Sequence, residues 1–418
     1  MISGDTIAAI ATAPGRGGVA VVRVSGSEAF SVAERLTGKR EEGRGIRVGR
    51  IADVDEGIIL FFKAPHSYTG EDVVEFQCHG GTVTPHRVLA ACLAAGARLA
   101  RRGEFTERAF LNGRIDYVQA ESVLDLIDAK TPRAADAALE GLSGRRAREC
   151  RALYESALDL STRLEHALDV DEGELPDDFL PSIHSSLLTL HSSLRAAISK
   201  AAEGRLLKSG ALVVLAGPPN AGKSSLMNAL LETNRAIVSD VPGTTRDSIE
   251  EWIDLEGWPI RLTDTAGLRE TKDEVEGEGV RRAEDLIARA DVVVWLSTPS
   301  SFFPLPSSLL IHPKCDLGRG EGLNVSAKTG EGLEELKRAI VAELEEKVGR
   351  TDSGEAPEGD VVALREALGL LVPCNTQPDL VLLANAVRSV AERLGTAVGA
   401  TYSTDMLDNL FSRFCVGK

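Results

Sequence analysis

Three observations predict a multidomain α/β + α protein, with an N-terminal α/β domain and an α-helical domain interrupted by an inserted, doubly wound α/β domain. First, residues 211–225 read Ala-Leu-Val-Val-Leu-Ala-Gly-Pro-Pro-Asn-Ala-Gly-Lys-Ser-Ser, an apolar β-branched run that breaks into a G-x4-G-K-S loop. Second, blocks with helical periodicity flank that stretch, near 116–206 and again after about 350. Third, residues 1–115 alternate short β runs with helices. The expected divisions are 1–115, 116–206, 207–349 and 350–418, and a chain of 418 residues is long enough for two or three real cores.

In the first division, residues 6–11 and 19–24 read as strands around the loop Pro14-Gly15-Arg16-Gly17-Gly18. Residues 58–62 and 73–77 read as further strands, followed by His79-Gly80-Gly81 and an Ala/Leu helix over 82–95. Glycine punctuation by itself names no ligand. From 116 to 206 the pattern is helical: Cys150, Leu153, Tyr154, Ala157, Leu158, Leu164 and Leu168 trace one apolar stripe, and 187–201 another. The run Glu172-Gly173-Glu174-Leu175-Pro176-Asp177-Asp178 breaks the helices. After the polar linker 351–358, Leu380, Leu383, Ala384, Val387, Val390, Ala391, Leu394 and Val398 share one face. One interrupted helical domain accounts for both blocks; two separate bundles would leave the same pattern.

Composition excludes several classes. The longest apolar runs are about five or six residues, against the ~20 needed to span a bilayer. No basic segment followed by an apolar one opens the chain, so no secretory signal is expected. Cysteines 78, 92, 150, 315, 374 and 415 form no C-x-x-C pair, which fits a reducing cytoplasm rather than a zinc site or disulfide framework. A net charge of −16 argues against broad, non-specific nucleic-acid affinity. Any RNA contact then needs a local basic patch. Arg98, Arg101 and Arg102, or Arg145, Arg146, Arg148 and Arg151, are candidates, although each also reads as a solvated helix face. The ending Cys415-Val416-Gly417-Lys418 fits a prenylation box poorly and is not read as one.

The inserted domain carries its motifs in the order that phosphoryl chemistry requires. In the loop, Asn220, Ala221, Gly222, Lys223, Ser224 and Ser225 form the cradle. Backbone N–H groups at the helix start favour a β-phosphate, Lys223 reaches the β/γ oxygens, and Ser224 is placed to ligate Mg²⁺. Asp240-Val241-Pro242-Gly243-Thr244-Thr245-Arg246-Asp247 follows and offers a Thr to the metal. A strand then runs into Asp264-Thr265-Ala266-Gly267, whose Asp holds metal-bound water and whose Gly N–H meets the γ-phosphate. An apolar strand at 292–296 precedes His312-Pro313-Lys314-Cys315-Asp316, and Asn324-Val325-Ser326-Ala327-Lys328 comes later. An Asp after Lys-x accepts from N1 and N2 of guanine, a donor pair adenine lacks. Pro313 stands where such proteins carry Asn. It has neither a side-chain amide nor an N–H, so weaker nucleotide binding is expected than an intact motif would give.

These motifs resemble the TrmE-Era-EngA group of bacterial GTPases. Within that group, Ala13-Pro14-Gly15-Arg16-Gly17-Gly18-Val19, Tyr68-Thr69-Gly70-Glu71-Asp72, His79-Gly80-Gly81, the stretch Gly103-Glu104-Phe105-Thr106-Glu107-Arg108-Ala109-Phe110-Leu111-Asn112-Gly113 and the ending Phe414-Cys415-Val416-Gly417-Lys418 are similar to the tRNA-modification GTPases of the MnmE (TrmE) family. The resemblance spans essentially the whole chain. Its departures are Pro313 and a shortened stretch from 297 to 323.

The resemblance implies a cytoplasmic homodimer that works with the flavoprotein MnmG (GidA), in a heterotetramer or larger, on C5 of the wobble uridine of tRNA, with no membrane insertion. The one-carbon unit comes from a tetrahydrofolate, in the 5-formyl or 5,10-methylene form, held by Arg23, Glu75, Arg114 and Lys418 of a folate-binding and dimerising N-terminal domain. The resemblance also implies potassium-stimulated GTP hydrolysis. Asn220, Ser239, the Val241 carbonyl and Thr244 surround K⁺, Ser224 and Thr245 hold Mg²⁺, and Glu276 orients the attacking water. Lys223 and Thr245 complete the catalytic set. Asp240, Pro242, Gly243, Thr265, Ala266, Lys314, Ser326, Ala327 and Lys328 are further GTP contacts, and Cys415 falls near the uridine chemistry. Two other classes remain open from residues alone. A ribosome-assembly GTPase of the Era or EngA kind would bring an RNA-binding module or a second G domain, and neither is visible. A folate-dependent aminomethyl transferase with a regulatory domain would turn over without GTP.

Overall fold

The computed structural model describes residues 4–170, 175–233, 250–265, 276–296, 308–349, 360–371, 379–398, 407 and 410–418. The chain divides into two units, Met1–Leu124 with Leu142–Gly144 and Thr401–Lys418, and Asp125–Gly141 with Arg145–Ala400.

The first unit contains β1 (Ile7–Ile10), β2 (Val19–Ser25), α1 (Ala29–Thr37), β3 (Gly45–Ile51), β4 (Asp55–Phe62), β5 (Val73–His79), α2 (Thr84–Ala94), β6 (Arg98–Leu99), α3 (Glu104–Leu111) and the start of α4 (Tyr117–Asp128). Its sheet runs β3-β4-β5-β2-β1-β6, antiparallel except for the β1–β6 pair. Side chains alternate across the pleat. Val74, Phe76 and Cys78 therefore enter the core beneath α1 and α2, while Glu75, Gln77 and His79 point to the opposite face. On that second face, α3 covers the β1 end through Phe105, packed with Ile7, Ala9 and Ala100. Towards the other edge, Ile46 and Val48 stay 76% and 71% exposed, beside Ile58.

A charged knot anchors α3. The Arg108 guanidinium, only 3% exposed, donates to Asp5 (2.8 Å), Glu71 (3.1 Å) and Glu104 (3.1 Å). Glu104 also accepts from Arg98 at 2.7 Å and from the Arg101 N–H at 2.8 Å. Buried ions persist only when they are paired and hydrogen-bonded, so this arrangement explains charged residues inside a stretch that otherwise reads as an exposed helix.

In the second unit, α5 (Pro132–Leu142) precedes α6 (Arg145–Leu168) and α7 (Phe179–Ser209). The other helical segments are α8 (Lys223–Thr233), α9 (Glu276–Arg289), α10 (Leu333–Gly349), α11 (Asp360–Leu371) and α12 (Leu380–Val398). Helices α6, α7, α11 and α12 share one core, so pieces from both sides of the inserted domain build a single helical domain. The α6 stripe is Leu153, Ala157, Leu160, Leu164 and Ala167, at the alternating 3–4 spacing of a bundle seam. Leu158 and Leu168 belong to the expected stripe but lie outside this seam, 46% and 41% exposed. Of the expected helix break, residues 172–174 lie outside the described residues, and 175–178 lead into α7.

The inserted sheet contains β7 (Ala211–Ala216), β8 (Glu250–Leu255), β9 (Trp258–Asp264), β10 (Val292–Leu296), β11 (Ser308–Pro313) and β12 (Leu323–Val325), in the order β12-β11-β10-β7-β9-β8. Every neighbour pair is parallel except β8–β9. Strand β7 is buried along its whole length at the centre, so its C-terminal end opens where the strand order changes direction, the position at which open α/β sheets bind ligands. Asp291 bonds the β7 backbone at Leu212 N (2.8 Å) and accepts from Lys347 of α10 (2.8 Å), which fixes a flanking helix to this strand.

Candidate functional sites

The loop after β7 is shaped by close approach. Gly217 has φ +145°, and a Cβ there would fall 2.4 Å from the Leu296 carbonyl of β10. Asn220, a non-glycine, takes φ +62°. Helix α8 then begins at Lys223, so its free N–H groups face the loop. The Lys223 ammonium, 6% exposed, donates back to the Gly217 and Pro218 carbonyls at 2.9 and 3.0 Å. Next to it, Ser224 Oγ donates to Asp264 Oδ2 at 2.7 Å across the ends of α8 and β9. Thr265 closes the strand end with its N–H and Oγ on the Leu215 carbonyl, at 3.4 and 3.1 Å. A hydroxyl and a carboxylate at that distance make a hard-oxygen pair of the type Mg²⁺ takes alongside phosphate oxygens.

Beyond the loop lies a cavity of about 310 Å³, lined among others by Ala221, Ser225, Pro313, Asp316, Leu317 and Lys328. Lys314 (φ +58°) donates from Nζ to the Asn220 carbonyl at 2.9 Å, which ties the cavity wall to the phosphate loop. Ser326 Oγ donates to Asp316 Oδ1 at 2.6 Å, and this bond holds the Asp316 carboxyl below its ordinary range. The second carboxylate oxygen takes no part in that bond. Ala327 and Lys328 follow on the same wall. Pro313 closes β11, paired with Val325 of β12, and reaches the cavity with an apolar ring.

In the first unit, Arg23 on β2 and Glu75 on β5 are cross-strand partners, joined at 2.8 Å with both side chains 16% exposed. The Arg23 guanidinium lies 5.3 Å from the Tyr68 ring and 5.6 Å from the Phe105 ring, both within cation–π range. Lys418 enters the same recess. Burial, and then the Arg23 charge, lower its ammonium pKa, while Glu75 opposes them. The tail that delivers Lys418 is fixed by several bonds. Val416 bridges Arg102, Arg102 Nε donates to the Phe414 carbonyl at 3.1 Å, and the Gly103 and Phe105 N–H groups donate to the Cys415 and Lys418 carbonyls at 3.4 and 3.2 Å. Gly417 (φ +102°) has no room for a side chain, since a Cβ would fall 2.2 Å from the Ile10 carbonyl. Arg114 donates to the Ser67 carbonyl at 3.2 Å, one residue before Tyr68. Cys415 is exposed on the tail.

The structure thus brings Lys223, Ser224, Asp264 and Thr265 together, draws Lys314, Asp316, Ser326, Ala327 and Lys328 around one cavity, and groups Arg23, Glu75 and Lys418. Ser239, Asp240, Val241, Pro242, Gly243, Thr244, Thr245, Ala266 and Gly267 lie outside the described residues, as does the side chain of Glu276, whose backbone opens α9. Sequence reasoning missed Tyr68 and Phe105. Both sit inside quoted motifs, but only the fold stacks them on Arg23. The Tyr68 phenol, its pKa raised by burial, is bonded to Thr106 at 2.9 Å. Among the described residues, no helix is long and apolar enough to cross a membrane.

A central parallel strand, the glycine loop after it, the Ser224–Asp264 pair and the adjoining aspartate-bearing cavity have the arrangement of a P-loop GTPase. The two other domains narrow the class. The family model described as "GTP-binding protein TrmE N-terminus" matches residues 6–114, and "MnmE helical domain" matches residues 117–415. The chain is 41% identical over 456 residues to "tRNA modification GTPase MnmE" of Dichelobacter nodosus (strain VCS1703A), covering 100% of both. It is 42% identical over 445 residues to the protein of that name from Aromatoleum aromaticum, covering 99% of this chain and 98% of that one. The chain belongs to the MnmE family of tRNA modification GTPases. Among solved structures, the G domain of the T. maritima FeoB iron transporter matches 32% of this chain and 98% of that one, at 28% identity and a TM-score of 0.24.

Proposed function

We propose that the chain hydrolyses GTP to drive the addition of a (carboxymethyl)aminomethyl group at C5 of the wobble uridine of tRNA. It works with the flavoprotein MnmG and takes its one-carbon unit from 5-formyl- or 5,10-methylene-tetrahydrofolate. The observation that carries this reading is the recess in which Arg23, Glu75 and Lys418 meet beside Phe105 and Tyr68. The partly exposed Tyr68 ring suits a pterin face, Glu75 suits its amino and N–H donors, and the two cations suit the glutamate carboxylates. Arg114, anchored on the 67–70 turn, adds a third cation near the rim. Cys415 is the exposed nucleophile on the tail that carries Lys418. The open apolar face at Ile46, Val48 and Ile58 supports a homodimer formed through this unit. We place the protein in the cytoplasm, with its tRNA.

In the nucleotide site, Lys223 would pass from the two loop carbonyls to the β/γ oxygens, and Ser224 and Thr245, beside Asp264, would hold Mg²⁺. Asn220, Ser239, the Val241 carbonyl and Thr244 supply an all-oxygen set that suits K⁺. Bound there, the two cations would supply positive charge against the negative charge that develops between the β- and γ-phosphates. Glu276 orients the attacking water, and Asp316 reads the base. Replacing Lys418 by Ala removes one charge-assisted bond from the folate recess. It is expected to weaken tetrahydrofolate binding by about tenfold or more and to suppress uridine modification in a reaction reconstituted with MnmG and tRNA. Folate binding and modification at the parent level in Lys418→Ala would defeat the folate assignment.

A further inference from the structure

We infer that His312 and Asn324 form a cross-strand clip that holds the base-reading loop 314–322 where Pro313 cannot, which makes both of them positioning residues for guanine recognition; this rests on the nucleotide-site reading above. The loop needs such support. It contains Gly318, Gly320 and Gly322, so ordering its backbone is entropically expensive. Residue 313, a proline, has no amide or N–H with which to tether it. Two local bonds fold its first turn, Leu317 N to the Lys314 carbonyl (2.9 Å) and Gly318 N to the Cys315 carbonyl (3.3 Å). They leave the backbone of the glycine-rich half to be held by something else; its Arg319 side chain pairs with Glu331 at the surface.

That support comes from β11 and β12. His312 and Asn324 are direct partners in the parallel ladder, on either side of the loop. His312 Nε2 lies 3.0 Å from the Gly318 carbonyl. A carbonyl only accepts, so Nε2 carries the proton. Asn324 Oδ1 accepts from Gly320 N at 3.0 Å, and its Nδ2 donates to the Gly320 and Gly322 carbonyls, each at 3.2 Å. Two side chains thereby satisfy four backbone groups of one loop. The loop is also pressed flat against β11. A Cβ on Gly320 would fall 2.3 Å from the His312 ring, and one on Gly322 would fall 2.5 Å from the Leu310 carbonyl. The clip borders the base pocket at both ends. His312 precedes Pro313, and Asn324 lies two residues before Ser326, whose hydroxyl holds Asp316. Because these bonds are exposed, water replaces each at modest cost. The expected effect is therefore partial loss of recognition rather than loss of the fold.

The test uses the full-length chain and competition of a fluorescent guanine nucleotide by unlabelled GDP and IDP. IDP lacks the 2-amino group and so reports how well Asp316 is aimed. Asn324→Ala is expected to weaken GDP binding by about tenfold and to weaken IDP binding less, so the GDP-to-IDP preference shrinks. Asn324→Asp keeps the Oδ1 acceptor and should fall between. Pro313→Asn in the Asn324→Ala chain should restore most of the preference. An unchanged preference in Asn324→Ala, equal losses for the two nucleotides, or no recovery with Pro313→Asn would each overturn the clip. Asp316→Asn separates the two levels. If it leaves the preference intact, the base site itself is misassigned; if it abolishes the preference while Asn324→Ala changes nothing, only the clip fails.

Discussion

Replacing Asp316 by Asn is expected to turn a guanine site into a xanthine site. Guanine presents N1–H and the 2-amino group, two donors that a carboxylate meets with two acceptor oxygens. An amide meets them with one acceptor and one mismatched donor, whereas xanthine, with a carbonyl at C2, matches the amide. Ser326 fixes the orientation of the carboxylate, and its hydrogen bond favours the ionised form. The substitution weakens two charge-assisted bonds at once, and a polar group left facing the wrong partner adds to the loss. GDP affinity should therefore drop by about a hundred- to a thousandfold, with XDP affinity rising. Titration with labelled GDP and XDP measures both. Unchanged GDP affinity would remove Asp316 from the base site.

The largest stability effect is expected at Arg108. Removing it as Arg108→Ala takes away the cation that Asp5, Glu71 and Glu104 share, leaving Asp5 and Glu104 to Arg98 and Glu71 to the Ser25 hydroxyl around an empty buried position. Breaking such a network typically costs about 3–5 kcal/mol, enough to unfold the first unit in a marginally stable chain. The same knot sets an acid dependence. Burial alone would raise the Glu104 pKa, but hydrogen bonds from Arg98, the Arg101 N–H and Arg108 hold it at about 2, against an ordinary 4.5. A depressed carboxylate stabilises the fold fully above its unfolded value, and that contribution is lost as pH falls through the folded one. The first unit should thus lose about 2–3 kcal/mol as pH falls from roughly 4.5 to 2. Glu104→Gln should be less stable at neutral pH and lack that part of the acid dependence. Denaturant melts that show Arg108→Ala at parent stability, or Glu104→Gln with the parent's acid profile, would contradict this account of the knot.

Much of the nucleotide domain was legible because its signals are local. A buried strand, a glycine loop and a helix start are contiguous, so the expected strand at 212–216 lies within β7 and the one at 292–296 coincides with β10. Helix phase was less legible. Leu158 looks apolar enough for the seam, but the bundle selects Leu160, in a core shared with α12, which lies more than 200 residues later in the chain. Strand β3 was not anticipated, since its outward Ile46 and Val48 break the apolar-in pattern. The recess around Arg23 was least legible from the residues themselves. It depends on the β2–β5 register and on a tail that reaches β1, so only the resemblance pointed to it before the fold did. Arg108 and Glu104 stand in the sequence only as parts of a quoted motif; that they pair in a buried knot needs the fold.

GTP hydrolysis by the full-length chain is to be followed as phosphate release in potassium and in sodium buffer. Turnover is expected in potassium, at least about tenfold slower in sodium, and reduced by about a hundredfold or more in Lys223→Ala and in Glu276→Ala. No hydrolysis in either salt, or a Lys223→Ala chain as fast as the parent, would contradict the proposed nucleotide site; equal rates in the two salts would remove the potassium site, and an unaffected Glu276→Ala the water-orienting role.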